Sequence, residues 1–98
     1  MIETTIEKIA ELCDGKMNAR AEAMKDKKIK GVSIDTRTLG EGNLFVPFKG
    51  ENVDGHRFIN QAFRAGAALS LTEQAPGAVD PDLPLIHVED GLTALQDL

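Results

Sequence analysis

The sequence is poor in aromatic residues, in cysteine and in long apolar runs. Its 98 residues include no tryptophan, no tyrosine, four phenylalanines and one cysteine, Cys13. So few aromatic side chains argue against a base-stacking platform for nucleic acid. A single cysteine permits no internal disulfide, makes no structural zinc site by itself and fits a reducing compartment. No apolar run approaches the roughly 20 residues of a membrane helix, and the N-terminus lacks the basic and apolar regions of a secretory signal.

Positive charge is missing from the last third of the chain. Residues 65–98 contain six acidic residues and no lysine or arginine, whereas residues 1–64 contain ten acidic and 11 basic residues. The net charge of −5 argues against a nucleic-acid-binding module. A content of 42% hydrophobic and 28% charged residues is typical of an ordinary globular protein. We therefore expect residues 1–98 to form one cytoplasmic domain without membrane insertion.

Sequence signatures of catalysis are also missing. The patterns GxxxxGK[ST], GxGxxG, HExxH and GxSxG do not occur in the chain. We interpret His87 as a half-buried strand residue and His56 as part of a helix start, rather than as a pair of metal ligands. Cys13 is interpreted as a packing residue, because no base stands near it to activate a nucleophile. The sequence thus predicts no catalytic residue and no metal site.

The spacing of apolar residues predicts alternating helices and strands. A first helix starts with Thr4 and Glu7, which have the spacing of a capping box, and ends at Gly15 in the left-handed conformation. Residues 19–28 fit either a helix or a solvated connection. Further elements are expected at 29–34 (strand), 44–48 (strand, at an edge or bulged because of Pro47), 56–65 (helix), 67–71 (strand), 85–88 (strand) and after Asp90 (helix). This order predicts an α/β domain with a small mixed sheet and flanking helices.

Polar residues follow two of the predicted strands. Asp35-Thr36-Arg37 ends the first of them, and a loop bounded by Gly50 and Gly55 follows the second. If the strands are neighbours, both segments emerge at related edges of the sheet, where ligands of α/β folds often bind. The Thr36 hydroxyl and the Asn52 amide both donate and accept hydrogen bonds, as the edge of a uracil ring requires. The alternative interpretation is structural, with Asp35 paired to Arg37 and Asp54-Gly55 forming a turn.

A cluster of lysines precedes the first of these strands. It consists of Lys25, Lys27, Lys28 and Lys30. Such a cluster either attracts a phosphate group or forms a solvated surface, and the sequence leaves both interpretations open.

Four ordered segments resemble the N-terminal domain of the Mur ligases. They are residues 31–37 (Gly-Val-Ser-Ile-Asp-Thr-Arg), 42–46, 49–56 (Lys-Gly-Glu-Asn-Val-Asp-Gly-His) and 62–68. The resemblance covers essentially the whole chain and implies a part in ATP-dependent amide bond formation in peptidoglycan synthesis. Residues 49–56 and 88–98 are most similar to the family member that adds D-alanyl-D-alanine to UDP-N-acetylmuramoyl-tripeptide. The member that adds the third peptide residue is the alternative.

The same resemblance implies a substrate-binding role. The positions that contact uridine would be Ile34 and Thr36, followed by Glu51, Asn52 and Val53. ATP and Mg²⁺ would bind in a central domain beyond residue 98, so residues 1–98 would be the N-terminal domain of a three-domain ligase, inactive alone and without a cofactor of its own. Its partners would be UDP-N-acetylmuramoyl-peptide and the remaining domains. A docking domain that binds no nucleotide, with the base-free residues 65–98 as its surface, is the alternative from another class.

Overall fold

Short strands and helices alternate along the chain. The structure is a computed structural model that describes residues 4–47, 55–73, 82–89, 93, 94 and 96. The strands are β1 (Thr4–Thr5), β2 (Lys16–Met17), β3 (Lys28–Ile29), β4 (Val32–Ser33), β5 (Leu44–Phe45), β6 (Leu69–Thr72) and β7 (Leu85–His87). The helices are α1 (Ile6–Leu12), α2 (Ala19–Ala23) and α3 (Gly55–Arg64), and residues 93, 94 and 96 are helical as well. No helix in these ranges is long and apolar enough to cross a membrane.

A mixed five-stranded sheet organises the domain, as the sequence predicts. Its strand order is β2-β7-β6-β5-β4, in which β4, β5, β6 and β7 run parallel and β2 pairs antiparallel with β7. A separate antiparallel pair joins β1 to β3. Parallel neighbours direct their carboxyl ends to the same edge, so β4 to β7 all end at one edge of the sheet.

The sheet is covered on both faces, which is why most residues of its four parallel strands are buried. Alternate residues of β5 show the two faces, because Leu44 packs in one buried cluster and Phe45 in the other. The cluster around Leu44 includes the α1 residues Ile6 and Ile9, and the cluster around Phe45 includes Ile59 of α3. Helices therefore lie on both sides of the sheet.

The first helix differs from the prediction at both ends. Thr5, rather than Thr4, caps α1, and its hydroxyl accepts from the backbone N–H of Lys8 at 3.2 Å. Thr4 and Thr5 are extended and pair with β3, so the helix begins one residue later than predicted. At the other end the residue with a left-handed φ, 52°, is Asp14 and not Gly15. The buried face predicted for this helix, including Cys13, is confirmed.

Glycine divides the strand that the sequence predicts over residues 29–34. Gly31 has a φ of 143°, which residues with a side chain rarely adopt, and it separates β3 from β4. Ile29 therefore belongs to the small two-stranded pair and Val32 to the central sheet. Gly66, with a φ of 115°, ends α3 as predicted.

Pro47 does not mark an edge strand. β5 has β4 on one side and β6 on the other, so it lies in the interior of the sheet. The ladder continues only to Val46, whose N–H donates to the carbonyl of Ser33 at 2.9 Å, and the proline follows it. Pro47 does not interrupt the bonds from β5 to β4, because it stands one position after Val46, which donates to that strand. Of the two interpretations of residues 19–28, a short helix is found, restricted to Ala19–Ala23.

Candidate functional site

The candidate site lies at the carboxyl edge of the sheet, where β4 and β5 end side by side. The two strands are adjacent and parallel, with Val32 opposite Leu44 and Ser33 opposite Phe45. The segment 34–37 therefore begins at the same edge at which β5 ends, and the two strand ends are about 5 Å apart, the ordinary spacing of paired strands. The prediction of the site required these two strands to be neighbours, and they are.

Hydrogen bonds from Ser33 and Thr38 shape the loop after β4. The Ser33 hydroxyl is buried, donates to the carbonyl of Asp35 at 2.9 Å and lies 3.3 Å from its N–H. The N–H of Thr38 donates to the same carbonyl at 3.1 Å, and the Thr38 hydroxyl does so at 3.3 Å. Neither residue is among those predicted for the site, although a serine two positions before an aspartate at a strand end is a recognisable turn signal.

Asp35 and Arg37 form an ion pair across the loop. The Arg37 Nη2 lies 2.8 Å from Asp35 Oδ2, and its Nε lies 3.1 Å from both carboxylate oxygens. The backbone N–H of Arg37 also donates to Asp35 Oδ1 at 2.8 Å. The side-chain hydrogen bond from Arg37 and then its backbone hydrogen bond lower the pKa of Asp35 from 3.8 to about 2. The pairing expected under the structural interpretation is present, and it fixes the loop on which Ile34 and Thr36 lie.

The pairing predicts an unusually acidic titration of Asp35. Because the pKa in the folded chain is lowered from 3.8 to about 2, the charge contribution to stability is complete above the unfolded value and is lost as the pH falls through about 2. ¹³C NMR of the Asp35 carboxyl group should show its midpoint there, and Arg37→Gln should move that midpoint back towards 3.8. A midpoint near 3.8 in the unaltered chain would contradict the ion pair in solution.

Ile34 and Thr36 are the two predicted site residues that the structure places, and neither is fully buried. Ile34 is 50% exposed, although it is a large apolar residue that follows a buried strand. Thr36 is half-buried, and no residue in the described ranges hydrogen-bonds to its hydroxyl. An apolar surface beside a free hydroxyl can contact the face and the polar edge of a heterocyclic base.

The other predicted site residues cannot be placed in this geometry. Glu51, Asn52 and Val53 lie outside the described residues, as do Gly50 and Asp54. Their roles remain predictions. The structure shows only that β5, the strand that precedes them in the chain, ends beside β4.

The remaining chemically active side chains do not converge. Cys13 is buried, and its Sγ lies 3.0 Å from the carbonyl of Ile9 within α1. His87 is half-buried on β7, opposite Lys16 and Thr72. Within the described part of the chain, no three His, Cys, Asp or Glu side chains are grouped so that they could hold a metal ion.

Comparison with solved structures identifies the fold. A crystal structure of MurF from Acinetobacter baumannii superposes with a TM-score of 0.79 and covers 100% of this chain and 20% of that one, at 23% identity. The expected α/β architecture with a mixed sheet is thereby confirmed.

Curated relatives of two kinds match the sequence. The UDP-N-acetylmuramoyl-tripeptide--D-alanyl-D-alanine ligase of Bacillus subtilis is 42% identical over 100% of this chain. The UDP-N-acetylmuramoyl-L-alanyl-D-glutamate--2,6-diaminopimelate ligase of Rickettsia prowazekii is 40% identical over 78% of it. The chain spans only 21% and 15% of the lengths of these two relatives.

A family match covers most of the chain and includes both strands of the candidate site. The model described as "Mur ligase family, catalytic domain" matches residues 28–98, a range that begins at β3 and contains the Asp35-Thr36-Arg37 loop. The resemblance expected from four short segments is therefore confirmed over more than two thirds of the residues, and the chain belongs to the Mur ligase family.

Proposed function

We propose that this chain holds the uridine diphosphate end of a UDP-N-acetylmuramoyl-peptide for a Mur ligase. The observation that carries the proposal is the loop after β4, in which Asp35, Arg37 and Ser33 are tied by hydrogen bonds while Ile34 and the Thr36 hydroxyl stay available. A rigid loop loses little entropy when it binds a ligand, so its free groups are pre-organised. The names of the relatives of both kinds begin with UDP-N-acetylmuramoyl, which supports a uridine nucleotide as the ligand.

A titration of the 98-residue chain with UDP tests the proposal. NMR shifts are expected at the amides of Ile34 and Thr36 and in the residues 51–53 that the resemblance adds. Absence of shifts at these positions at millimolar UDP, in a folded sample, would contradict nucleotide binding and favour the docking-domain alternative. Weak binding fits the proposal, because this chain covers about a fifth of the relatives with which it aligns fully.

The hydroxyl of Thr36 provides a sharper prediction. Thr36→Val should raise the Kd for UDP by up to about tenfold, because it removes one hydrogen bond worth about 0.5–1.5 kcal/mol and preserves the shape of the side chain. Thr36→Ser keeps the hydroxyl and should retain most of the affinity. Thr4→Val, which makes the same change on β1 of the separate strand pair, is the matched control. An unchanged Kd for Thr36→Val would rule out the role given to that hydroxyl.

For the whole protein we propose an ATP-dependent ligase of peptidoglycan synthesis that works in the cytoplasm and adds D-alanyl-D-alanine to UDP-N-acetylmuramoyl-tripeptide. Relatives of that kind from Bacillus subtilis and Escherichia coli each match 100% of this chain, which favours this acceptor over one that receives diaminopimelate. ATP and Mg²⁺ would bind in a domain outside these 98 residues. Assay of the full-length enzyme with each amine separates the two activities. Ligation of diaminopimelate alone would overturn the assignment.

A further inference from the structure

A depression lies at the edge of the sheet opposite to Ile34 and Thr36. It has a volume of about 420 Å³ and is lined by Lys27, Lys28, Lys30 and Glu41 together with the small residues Gly42 and 66–68. We call it the lysine pocket. Lys30 stands before β4, Gly42 before β5 and residues 66–68 before β6, so the pocket belongs to the amino edge of the parallel strands. It shares no residue with the proposed nucleotide site.

Backbone hydrogen bonds hold together the segments that line the pocket. The N–H of Lys30 donates to the carbonyl of Gly42 at 3.0 Å, and the N–H of Gly42 donates to the carbonyl of Gly66 at 3.0 Å. The aliphatic stem of Lys30 lies along Gly42, because a Cβ placed on that glycine would be 3.7 Å from Lys30 Cδ. The pocket therefore has a fixed backbone, and small residues leave room for a ligand close to it.

The charges of the pocket are unbalanced. Lys27, Lys28 and Lys30 are exposed, and none of them forms an ion pair with any residue that the structure describes. Lys8 and Lys25, by contrast, each lie within 4 Å of a glutamate carboxylate. Glu41 is the one acidic residue among those that line the pocket, so three positive charges face one negative charge. This local excess occurs in a chain whose net charge is −5.

We propose that the lysine pocket binds a small multivalent anion of the oligophosphate class. Three ammonium groups supply compact positive charges and rotatable N–H donors, which suit phosphate oxygens that are arranged in more than one direction. The volume lies within the range of about 300–1,000 Å³ usual for small-molecule sites. The net charge of −5 disfavours a long polyanion such as nucleic acid, because that ligand would extend beyond the pocket over a chain with more acidic than basic residues.

Titration of the 98-residue chain with tripolyphosphate at low ionic strength tests the proposal. NMR shifts are expected to concentrate at residues 27–30, 41–42 and 66–68 and to leave Ile34 and Thr36 unchanged. The combined variant Lys27→Gln, Lys28→Gln and Lys30→Gln should raise the Kd for tripolyphosphate by at least about tenfold, because it removes all three cations of the pocket. Raising the salt concentration should weaken binding to the unaltered chain, since exposed charges are screened.

A matched variant separates a defined site from general charge. The control variant combines Lys8→Gln, Lys16→Gln and Lys25→Gln. It also removes three positive charges, but from exposed lysines that do not line the pocket, and it should leave the Kd within about twofold of the value for the unaltered chain. An equal loss in both triple variants, or no binding by the unaltered chain, would overturn the proposal. Shifts confined to residues 34–37 would assign the anion to the nucleotide site instead. Tighter binding of hexaglutamate than of tripolyphosphate would replace the proposed ligand with an acidic peptide.

Discussion

Replacing Asn18 with alanine is expected to lower the free energy of unfolding by about 3 kcal/mol, the combined cost of three side-chain hydrogen bonds. The side-chain oxygen of Asn18 accepts from the N–H of Ala21 at 2.8 Å and from the N–H of Leu85 at 3.1 Å. Its amide nitrogen donates to the carbonyl of Leu83 at 2.7 Å. One bond caps α2, and the other two attach that cap to the start of β7, 65 and 67 residues further along the chain. Alanine would leave these three backbone groups without the side chain that they bond to, in a half-buried position.

Asn43→Ala provides the matched control for this prediction. The Asn43 side chain caps a single exposed N–H, that of Gly40, at 2.7 Å. Its loss should cost no more than about 1 kcal/mol, because water can replace the bond. Urea unfolding followed by circular dichroism measures both changes on one scale. Equal losses in the two variants would show that Asn18 does not join α2 to β7 in the way the distances indicate.

Gly15→Ala is expected to destabilise the chain by about 2 kcal/mol, through overpacking rather than backbone strain. A Cβ at this position would overlap Cγ2 of Ile86 and come within 3.0 Å of Cγ1 of Val88. Ile86 is fully buried on β7, an interior strand of the sheet, and has little room to move. Gly15 is also held in place, because its N–H donates to the carbonyl of Ala10 at 2.9 Å at the end of α1. Urea unfolding of the single variant gives the size of the loss.

A double-mutant cycle identifies the cause of that loss. Ile86→Ala removes the methyl group that the new Cβ would overlap, so the double variant should lose less stability than the sum of the single variants, by about 1 kcal/mol. Strict additivity would mean that the overlap with Ile86 is not what destabilises Gly15→Ala.

The elements that the sequence predicts correctly are those fixed by local chemistry. The apolar face of α1 and the end of α3 at Gly66 follow from helical spacing and from the freedom of glycine to adopt positive φ. The predictions fail where a distant partner decides the outcome. Thr5 takes the cap of α1 because Thr4 and Thr5 pair with β3. Gly15 is required for contact with β7 and not for a left-handed turn.

Prediction of the candidate site shows the same division. The motif Asp35-Thr36-Arg37 could be read from the sequence, and so could the pairing of Asp35 with Arg37, because these residues are two positions apart. The hydrogen bond from the Ser33 hydroxyl to the carbonyl of Asp35 is local as well, although it is not among the sequence-based predictions. The identity of the strand beside β4 could not be read, since parallel pairing depends on contacts between segments that local propensity does not specify.

By itself, the sequence determines the family, the order of most helices and strands, and the residue types available for a nucleotide or an anion. The tertiary structure alone decides which of these residues share an edge. It brings the loop of Thr36 beside the end of β5, and it gathers Lys30, Gly42 and Gly66 at the opposite edge. The physical reason is that a parallel sheet collects the ends of strands that are far apart in the chain, and their alignment is set by burial on both faces. One small sheet thereby separates two groups of polar residues that the linear sequence places side by side.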